Sequence, residues 1–357
     1  MTSPTPPPTI PPTMRAWLRL GRGPAATSLT LSNSHPTPTV APDSADVLVR
    51  VAYVALQFNG EMLMQLPSLP GVGAPTRIPE MEFSGFVAAA GSRVPPELRE
   101  IGAHVAAAHS VASVFFWGSG AMAEYVKIPA SGTVRLPDGF DMKMASGIAC
   151  CGTTALKMLR ARGVGPGDRV LVNGASSSVG SLFAQICKSK GATVVGVASG
   201  KNEELVRGLG VDEFVDYTAH SSLPAYLKSK YSGELQFDAI FDCIGVQSLF
   251  VQSPDYLKPS GVFINIGGVD SSIIKLLLNL LINAYLPRWL GGVPRHYVMF
   301  STSPMKDDMT VISRLIDEGK VRVLVDSVWN MEDLVQAYAH IATKRARGKV
   351  VIKLGGD

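Results

Sequence analysis

The residues with the clearest chemical use lie between Asp168 and Asn202. Gly174, Ser177 and Gly180 fall three apart in a turn of small residues that also holds Ser178 and Val179. Small side chains let a backbone approach a diphosphate. The helix that follows offers that anion unpaired N–H groups and the positive end of its dipole. Further on the chain reads Ser199-Gly200-Lys201-Asn202. No Asp or Glu stands there, about 20 residues past the turn, where a carboxylate would hold a ribose 2′-hydroxyl. Ser199, Lys201 and Asn202 can instead donate to a 2′-phosphate, so the pattern points to NADPH.

These residues need a scaffold, and the flanking pattern supplies one. Val170-Leu171-Val172 reads as a buried strand. Leu182, Phe183, Ile186 and Cys187 mark a helix ending near Gly191, and Val194 to Ala198 a second strand. A strand–turn–helix–strand unit of about 30 residues is a βαβ unit. Further strands are expected at 214–217, 237–245 and 261–268, with helical stretches between them. This predicts an open parallel sheet with helices on both faces, whose ligands bind beyond the carboxyl ends of the strands. Gly174, Ser199, Gly245 and Gly267 would all lie there. Tyr217, after the third strand, is placed to pack on a 2′-phosphate or adenine edge, or simply on the surface.

The chain of 357 residues has room for about two domains. It is 46% hydrophobic and 17% charged, with a net charge of +4 and no Lys/Arg cluster, which argues against nucleic acid as a partner. Cys150, Cys151, Cys187 and Cys243 form neither a disulfide framework nor a zinc pattern, and they suit a reducing compartment. The Pro/Thr-rich residues 1–13 are read as a disordered tail. They have neither the apolar stretch of a signal peptide nor the Arg-rich pattern of a transit peptide, so a cytoplasmic location is expected. Short strands punctuated by Gly and Pro fill 14–140, among them Met14 to Leu20, 47–56, 83–90, 103–108 and 123–128, and predict a compact β domain. The pattern changes at 141, with a helix over 143–160. The stretch 141–304 is read as the dinucleotide-binding domain. Residues 305–357, with a strand over 322–328, a helix over 331–344 and a strand over 348–352, are expected to rejoin the β domain.

In order and spacing, Gln57 to Glu61, Pro79 to Gly85, Ala123 to Val126, Gly152 to Ala155, Gly174 to Gly180, Phe237 to Gly245, Leu257 to Gly261 and Gly348 to Val351 resemble the medium-chain dehydrogenase/reductase superfamily. The similarity runs from about Met14 to Leu354 and is greatest to the zinc-independent quinone oxidoreductase branch and its fungal relatives. It implies a GroES-like β domain with a Rossmann doubly wound parallel sheet inserted before its last elements, an α/β fold. It implies that Asn59 positions nicotinamide and substrate, that Thr154 lies near the cofactor, and that a homodimer could form through the edge of the Rossmann sheet. Zinc-dependent members carry a Cys after the second apolar strand and a Gly-His-Glu. Here these regions read Ala55-Leu56-Gln57 and Glu80-Met81-Glu82, which leaves too few ligands for a catalytic zinc. In the phosphate turn, Ser177 stands where the family has a central Gly.

Without a metal, the reaction most readily supported is hydride transfer to an enone, an enal or a quinone, which delocalise the charge themselves. Tyr53 is a candidate donor to substrate or a core tyrosine. Lys349 is a candidate cofactor contact or a solvated lysine. Cys150 and Cys151 read as inert thiols, and His104 and His109 as structural. Residues 273–290 are very apolar, with Lys275, Asn279 and Asn283 on one helical face. This stretch is read as an amphipathic helix buried in the protein, covering a hydrophobic substrate, packing in a dimer or resting peripherally on a membrane. An enoyl reductase or dehydrogenase of a secondary-metabolite pathway is an alternative function. A membrane-associated or partner-binding protein with little turnover is another.

Overall fold

The computed structural model describes residues 9–58, 60–65, 77–268 and 273–355. Asn59, put forward above as a positioning residue, lies outside the described residues. The chain opens with β1 (Thr13–Arg19), α1 (Ala25–Ser28), β2 (Leu29–Pro36) and β3 (Asp46–Ala55). It continues through α2 (Gly60–Gln65), β4 (Glu82–Ala90), β5 (His104–Ala108), β6 (Tyr125–Pro129), β7 (Thr133–Arg135), α3 (Met142–Ala145) and α4 (Ile148–Ala161). Alternating elements follow: β8 (Arg169–Asn173), α5 (Ser178–Ser189), β9 (Thr193–Ala198), α6 (Glu203–Arg207), β10 (Glu213–Asp216), α7 (Leu223–Lys230), β11 (Phe237–Asp242), α8 (Gln247–Val251), β12 (Leu257–Asn265), α9 (Ile273–Tyr285) and β13 (His296–Met299). The last elements are α10 (Lys306–Asp317), β14 (Val325–Asn330), α11 (Leu334–Ala342) and β15 (Lys349–Lys353).

Two units result. The first comprises the chain up to Thr153, Ser303–Gly319 and the chain from Val325 on. Its main sheet runs β14-β15-β3-β4-β5-β7, with β6 also on β3, and β1 and β2 form a separate antiparallel pair. β3 is buried almost throughout, because β4, β6 and β15 all pair with it. Val47, Val49, Phe83, Met122, Leu334 and Ile352 fill the core beneath. This is the β-rich, GroES-like unit that the sequence predicts, and the carboxyl-terminal elements do rejoin it: Val351 pairs with Ala55 and Lys353 with Tyr53. The division from the second unit falls within α4, past the expected 140/141, because α3 packs on β4 and the Cys150 N–H bonds to Glu82. The single helix expected over 143–160 is two, α3 and α4. Asp141 caps α3 by accepting from the N–H groups of Lys143 and Met144.

The second unit holds Thr154–Thr302 and Lys320–Leu324. Its six strands are all parallel, in the order β10-β9-β8-β11-β12-β13. Counted within the unit that order is 3-2-1-4-5-6, the Rossmann arrangement, and strand order reverses between β8 and β11. β8 and β9 read as apolar runs because helices cover both faces of a parallel sheet. β13 escapes the sequence reading: it has four residues and only Tyr297 of them is buried. Arg322 to Leu324, expected to begin a strand, stay with this unit and the strand starts at Val325. The buried Gln185 amide on α5 donates to the Arg322 carbonyl and accepts from its N–H, both at 2.9 Å.

Part of the apolar face of α9, read from the sequence as buried, is exposed. The Asn283 amide turns inward and exchanges two hydrogen bonds with Gln247, at 2.8 and 2.9 Å, and Leu280 packs on the core. Leu278, Leu281, Ile282 and Tyr285 are exposed, as are Trp289 and Leu290 beyond the helix end. Among the described residues, no helix is long and apolar enough to cross a membrane.

Gln185→Ala removes both bonds to Arg322 in a place water reaches poorly. It should cost about 2 kcal/mol of stability, at roughly 1 kcal/mol per bond, read from urea denaturation midpoints at constant slope.

Candidate functional site

The second unit gathers most of the residues singled out from the sequence at the carboxyl ends of its strands. Gly174 leaves β8 with φ +80°, and its N–H and that of Ala175 bond to the Val197 carbonyl, which folds the turn back onto β9. Ser177 caps α5: its Oγ accepts from the Gly180 N–H at 3.1 Å. That bond uses a lone pair and leaves the hydroxyl proton as a donor. A Cβ on Gly180 would stand 2.2 Å from the Gly174 carbonyl oxygen, so this turn closes only around glycine. At the ends of β11 and β12 the backbones are as close. A Cβ on Gly245 would meet the Gly268 nitrogen at 2.4 Å, and one on Gly267 the Ile244 carbonyl carbon at 2.1 Å. The strand ends thus form a floor of bare backbone at the point where strand order reverses.

Three polar residues hold that floor, and the sequence reading passed over them. The buried Asp242 carboxylate accepts from the Asn173 amide at 2.8 Å and from the N–H groups of Ile244, Gly245 and Val246 at 2.9, 3.0 and 2.7 Å. Asn265 donates to the Tyr297 hydroxyl and accepts from the Gly267 N–H. A signal was available: Val-Leu-Val-Asn173, Ala-Ile-Phe-Asp242 and Val-Phe-Ile-Asn265 each end an apolar strand on a polar residue.

Beyond β9, the Asn202 amide donates to Ser176 Oγ at 3.0 Å, tying this loop to the phosphate turn. Ser199 is half-buried, Lys201 is exposed and Tyr217 is half exposed. A carboxylate does stand nearby: Asp216, at the end of β10, lies against Gly200. Hydrogen bonds from Thr218 and from the Gly200 N–H lower its pKa. Thr154 bonds through its hydroxyl to Thr302 Oγ1 at 2.8 Å rather than only to its own helix.

In the first unit the structure corrects the reading of Lys349. It is not solvated but buried, with its Nζ 2.5 Å from Glu82 Oε1. Burial opposes its charge, but Cys151, Glu82 and Cys150 outweigh burial and hold its pKa up. Gln57 Nε2 donates to the same Glu82 oxygen at 2.6 Å, and the Cys150 N–H donates to the other at 2.7 Å. One step away, Glu80 accepts from the Tyr338 hydroxyl at 2.5 Å and from the Gln57 N–H at 3.0 Å. Glu80 sits at φ +70° where the zinc-dependent pattern has Gly, so its backbone keeps a turn that favours glycine. Burial raises its carboxyl from 4.5 to about 7, against the pull of Tyr338, Gln57 and Lys349. Gln57 of this segment joins the cluster. Tyr53 is half-buried on β3. The Cys150 thiol is pushed up by burial and by Glu82, which suits an inert role. His109 is buried, and burial lowers its pKa to about 4.

These residues do not fit a zinc ion. Both Glu82 oxygens are taken by donors, a lysine ammonium already supplies the positive charge, and Met81 stands beside them. Among the described residues no three His, Cys, Asp or Glu side chains gather as a ligand set. The amino end of α5, which follows a turn that closes tightly around Gly174 and Gly180, does fit a dinucleotide's diphosphate.

Lys349→Met leaves the Glu82 charge buried and alone. It should cost about 3–5 kcal/mol in denaturation, and adding Glu82→Gln should recover much of that. Glu80 generates a pH dependence. Its native pKa is raised, so its contribution to stability is whole below pH 4.5 and falls away as pH rises to about 7. The loss is of order 3 kcal/mol at 1.36 kcal/mol per pKa unit. Thermal midpoints of wild type should drop across that window, and those of Glu80→Gln should be flatter.

Comparison with known proteins gives the family. Residues 43–138 match the alcohol dehydrogenase GroES-like domain, and residues 209–352 match the zinc-binding dehydrogenase domain. The chain is 42% identical over 364 residues to the medium chain reductase pydE of an Acremonium species, covering 96% of this chain and 99% of that one. It is 35% identical over 379 residues to the trans-enoyl reductase poxH of Penicillium oxalicum, covering 96% and 98%. The quinone oxidoreductase of Coxiella burnetii shares the fold, with a TM-score of 0.76 at 23% identity over 96% of this chain and 99% of that one. A nicotinamide cofactor goes with the family, and the zinc of the domain's description does not suit the residues present here. The chain belongs to the medium-chain dehydrogenase/reductase superfamily and is an oxidoreductase of that group.

Proposed function

We propose that the protein is an NADPH-dependent reductase that delivers hydride to a carbon–carbon double bond conjugated to a carbonyl. The observation that carries this is the floor of bare backbone at the ends of β8, β11 and β12, beside the amino end of α5. A bound nicotinamide supplies the hydride. The chain's own residues bind and orient. The N–H groups of the first turn of α5 and the Ser177 hydroxyl face a diphosphate. Lys201 offers its ammonium to a 2′-phosphate, while Asn202, tied to Ser176, steadies the loop that carries it. Asp216, kept ionised by hydrogen bonds from Thr218 and Gly200, opposes that phosphate, and the Lys201 ammonium is what offsets it.

A conjugated acceptor suits a unit whose acidic residues do not fit a metal. Conjugation spreads the developing charge onto oxygen, where a hydrogen-bond donor suffices. Tyr53 or solvent is the candidate donor. The names of the relatives, a medium chain reductase and a trans-enoyl reductase, support an enoyl double bond over a quinone.

Fluorescence titration with NADPH and NADH, followed by enones, enals and quinones, tests the reading. NADPH should bind at least about tenfold tighter than NADH, the worth of one charge-assisted contact. Lys201→Ala should close that gap and leave NADH affinity alone. Gly180→Ala should lose both cofactors. Equal binding of the two cofactors would overturn the NADPH assignment. Tight binding with no oxidation across the panel would leave a binding protein in place of a reductase.

A further inference from the structure

A cleft within the first unit plays no part in the reading so far. It measures about 520 Å³ counting its open mouth, and Met64, Ile78, Val111 and Val114 give it apolar walls. Glu80 and Tyr338 line it together. Gly60, which also lines it, leaves room for the carboxyl: a Cβ there would stand 2.6 Å from Glu80 Oε1. Arg19 and Arg77, joined by an isolated bridge, line the cleft as well, and Arg19 Nε is held by the Gly21 carbonyl at 2.8 Å.

Glu80 and Tyr338 are both buried, and the Tyr338 hydroxyl lies 2.5 Å from Glu80 Oε1. Their hydrogens can be counted. With Glu80 ionised the pair has one O–H, that of the phenol, and Oε1 accepts it. The Gln57 N–H donates to the other oxygen at 3.0 Å. With Glu80 protonated the pair has two O–H groups and uses only one between them. The second is a buried donor beside apolar walls, where an acceptor lowers the cost of its burial. Among the described residues Glu80 makes no ion pair, because Lys349 gives its ammonium to Glu82. A buried carboxyl so placed keeps its proton more readily, and burial raises its pKa to about 7. The charges facing the pair are Lys349 from β15, Glu82 from β4 and, beside Tyr338, Glu61 from α2. Lys349 is held charged, and the guanidiniums keep their charge. The proton that changes near neutrality at this cleft is that of Glu80.

We propose that this cleft binds an apolar ketone or aldehyde, whose carbonyl oxygen accepts the second O–H of the protonated Glu80–Tyr338 pair while its chain lies along Met64, Ile78, Val111 and Val114. The site stands whether or not the ligand is turned over.

Calorimetric titration of the full chain with 2-octanone, 1-octene and octylammonium at pH 6 and pH 8 tests it. The ketone should bind about tenfold tighter at pH 6, because only the protonated pair donates and its pKa lies between the two values. The alkene, which has no acceptor, should bind equally at both and more weakly than the ketone at pH 6. Ketone binding at pH 7 should take up protons, read as a heat that differs between phosphate and Tris buffers. Glu80→Gln keeps an amide donor at every pH, so its ketone affinity should be flat. Tyr338→Phe removes a bond that lowers the Glu80 pKa, so the step should move to higher pH. Melting temperatures at each pH establish that the variants are folded. Octylammonium binding tighter than the ketone at pH 6 would overturn the proposal. So would a flat ketone affinity in wild type, or a step that survives Glu80→Gln. Should Glu80→Gln not fold, proton uptake by wild type and the shift in Tyr338→Phe decide. A step in ketone binding with no turnover of any enone leaves the site standing and removes the reductase reading. Turnover of enones with flat ketone binding removes the site and leaves the reductase reading.

Discussion

The Lys349 ammonium and the Glu82 carboxylate are both removed from water, and neither charge would be tolerated there without the other. The pair joins β15, the last strand, to β4. Through the remaining Glu82 contacts it also holds the Gln57 segment and the start of α4. A chain that leaves the β-rich unit after Thr153 and returns at its end must be closed by something specific, and this ion pair does so inside the sheet that β15 completes. It also settles the chemistry of the acidic residues. A carboxylate that accepts from lysine, glutamine and a backbone N–H already has both oxygens engaged by donors. An internal cation stands in this family member where a metal-dependent pattern would ask for ligands.

The second unit rests on a different constraint, the closeness of backbones. Gly180, Gly245 and Gly267 each lie where a Cβ would come within 2.4 Å of a neighbouring chain atom. Such proximity would leave backbone polar groups stranded were they not paired, and Asp242 and Asn265 pair them. The loops after β11 and β12 are thus held in place by buried side chains that accept their N–H groups. The ligand-facing residues are small, and the residues that hold them in place are polar and buried.

Much of this was legible along the chain. The parallel unit showed itself because β8, β9, β11 and β12 are apolar runs of strand length and Gly174 to Gly180 falls between a strand and a helix. β2, β7 and β13 were not read. They are short or edge strands with little alternation, and β7 and β13 pair with strands well separated in sequence. α9 shows the opposite failure. Its sequence has a clear apolar face, yet Asn283 bonds Gln247 while Leu278, Leu281, Ile282 and Tyr285 stay exposed. Periodicity says that a helix has two faces and cannot say which one the rest of the chain has a partner for.

The sequence by itself determined the fold class and the family, because these depend on residue type and the order of short motifs along the chain. Tertiary structure decided the rest. Lys349 and Glu82 are separated by 267 positions, and Tyr338 and Glu80 by 258. No local pattern distinguishes a lysine in a final turn that meets water from one that meets a buried carboxylate. Arg19 and Arg77 likewise became a pair only when the chain brought them across one bridge. Charge and burial act through space, and the fold sets which charges become neighbours.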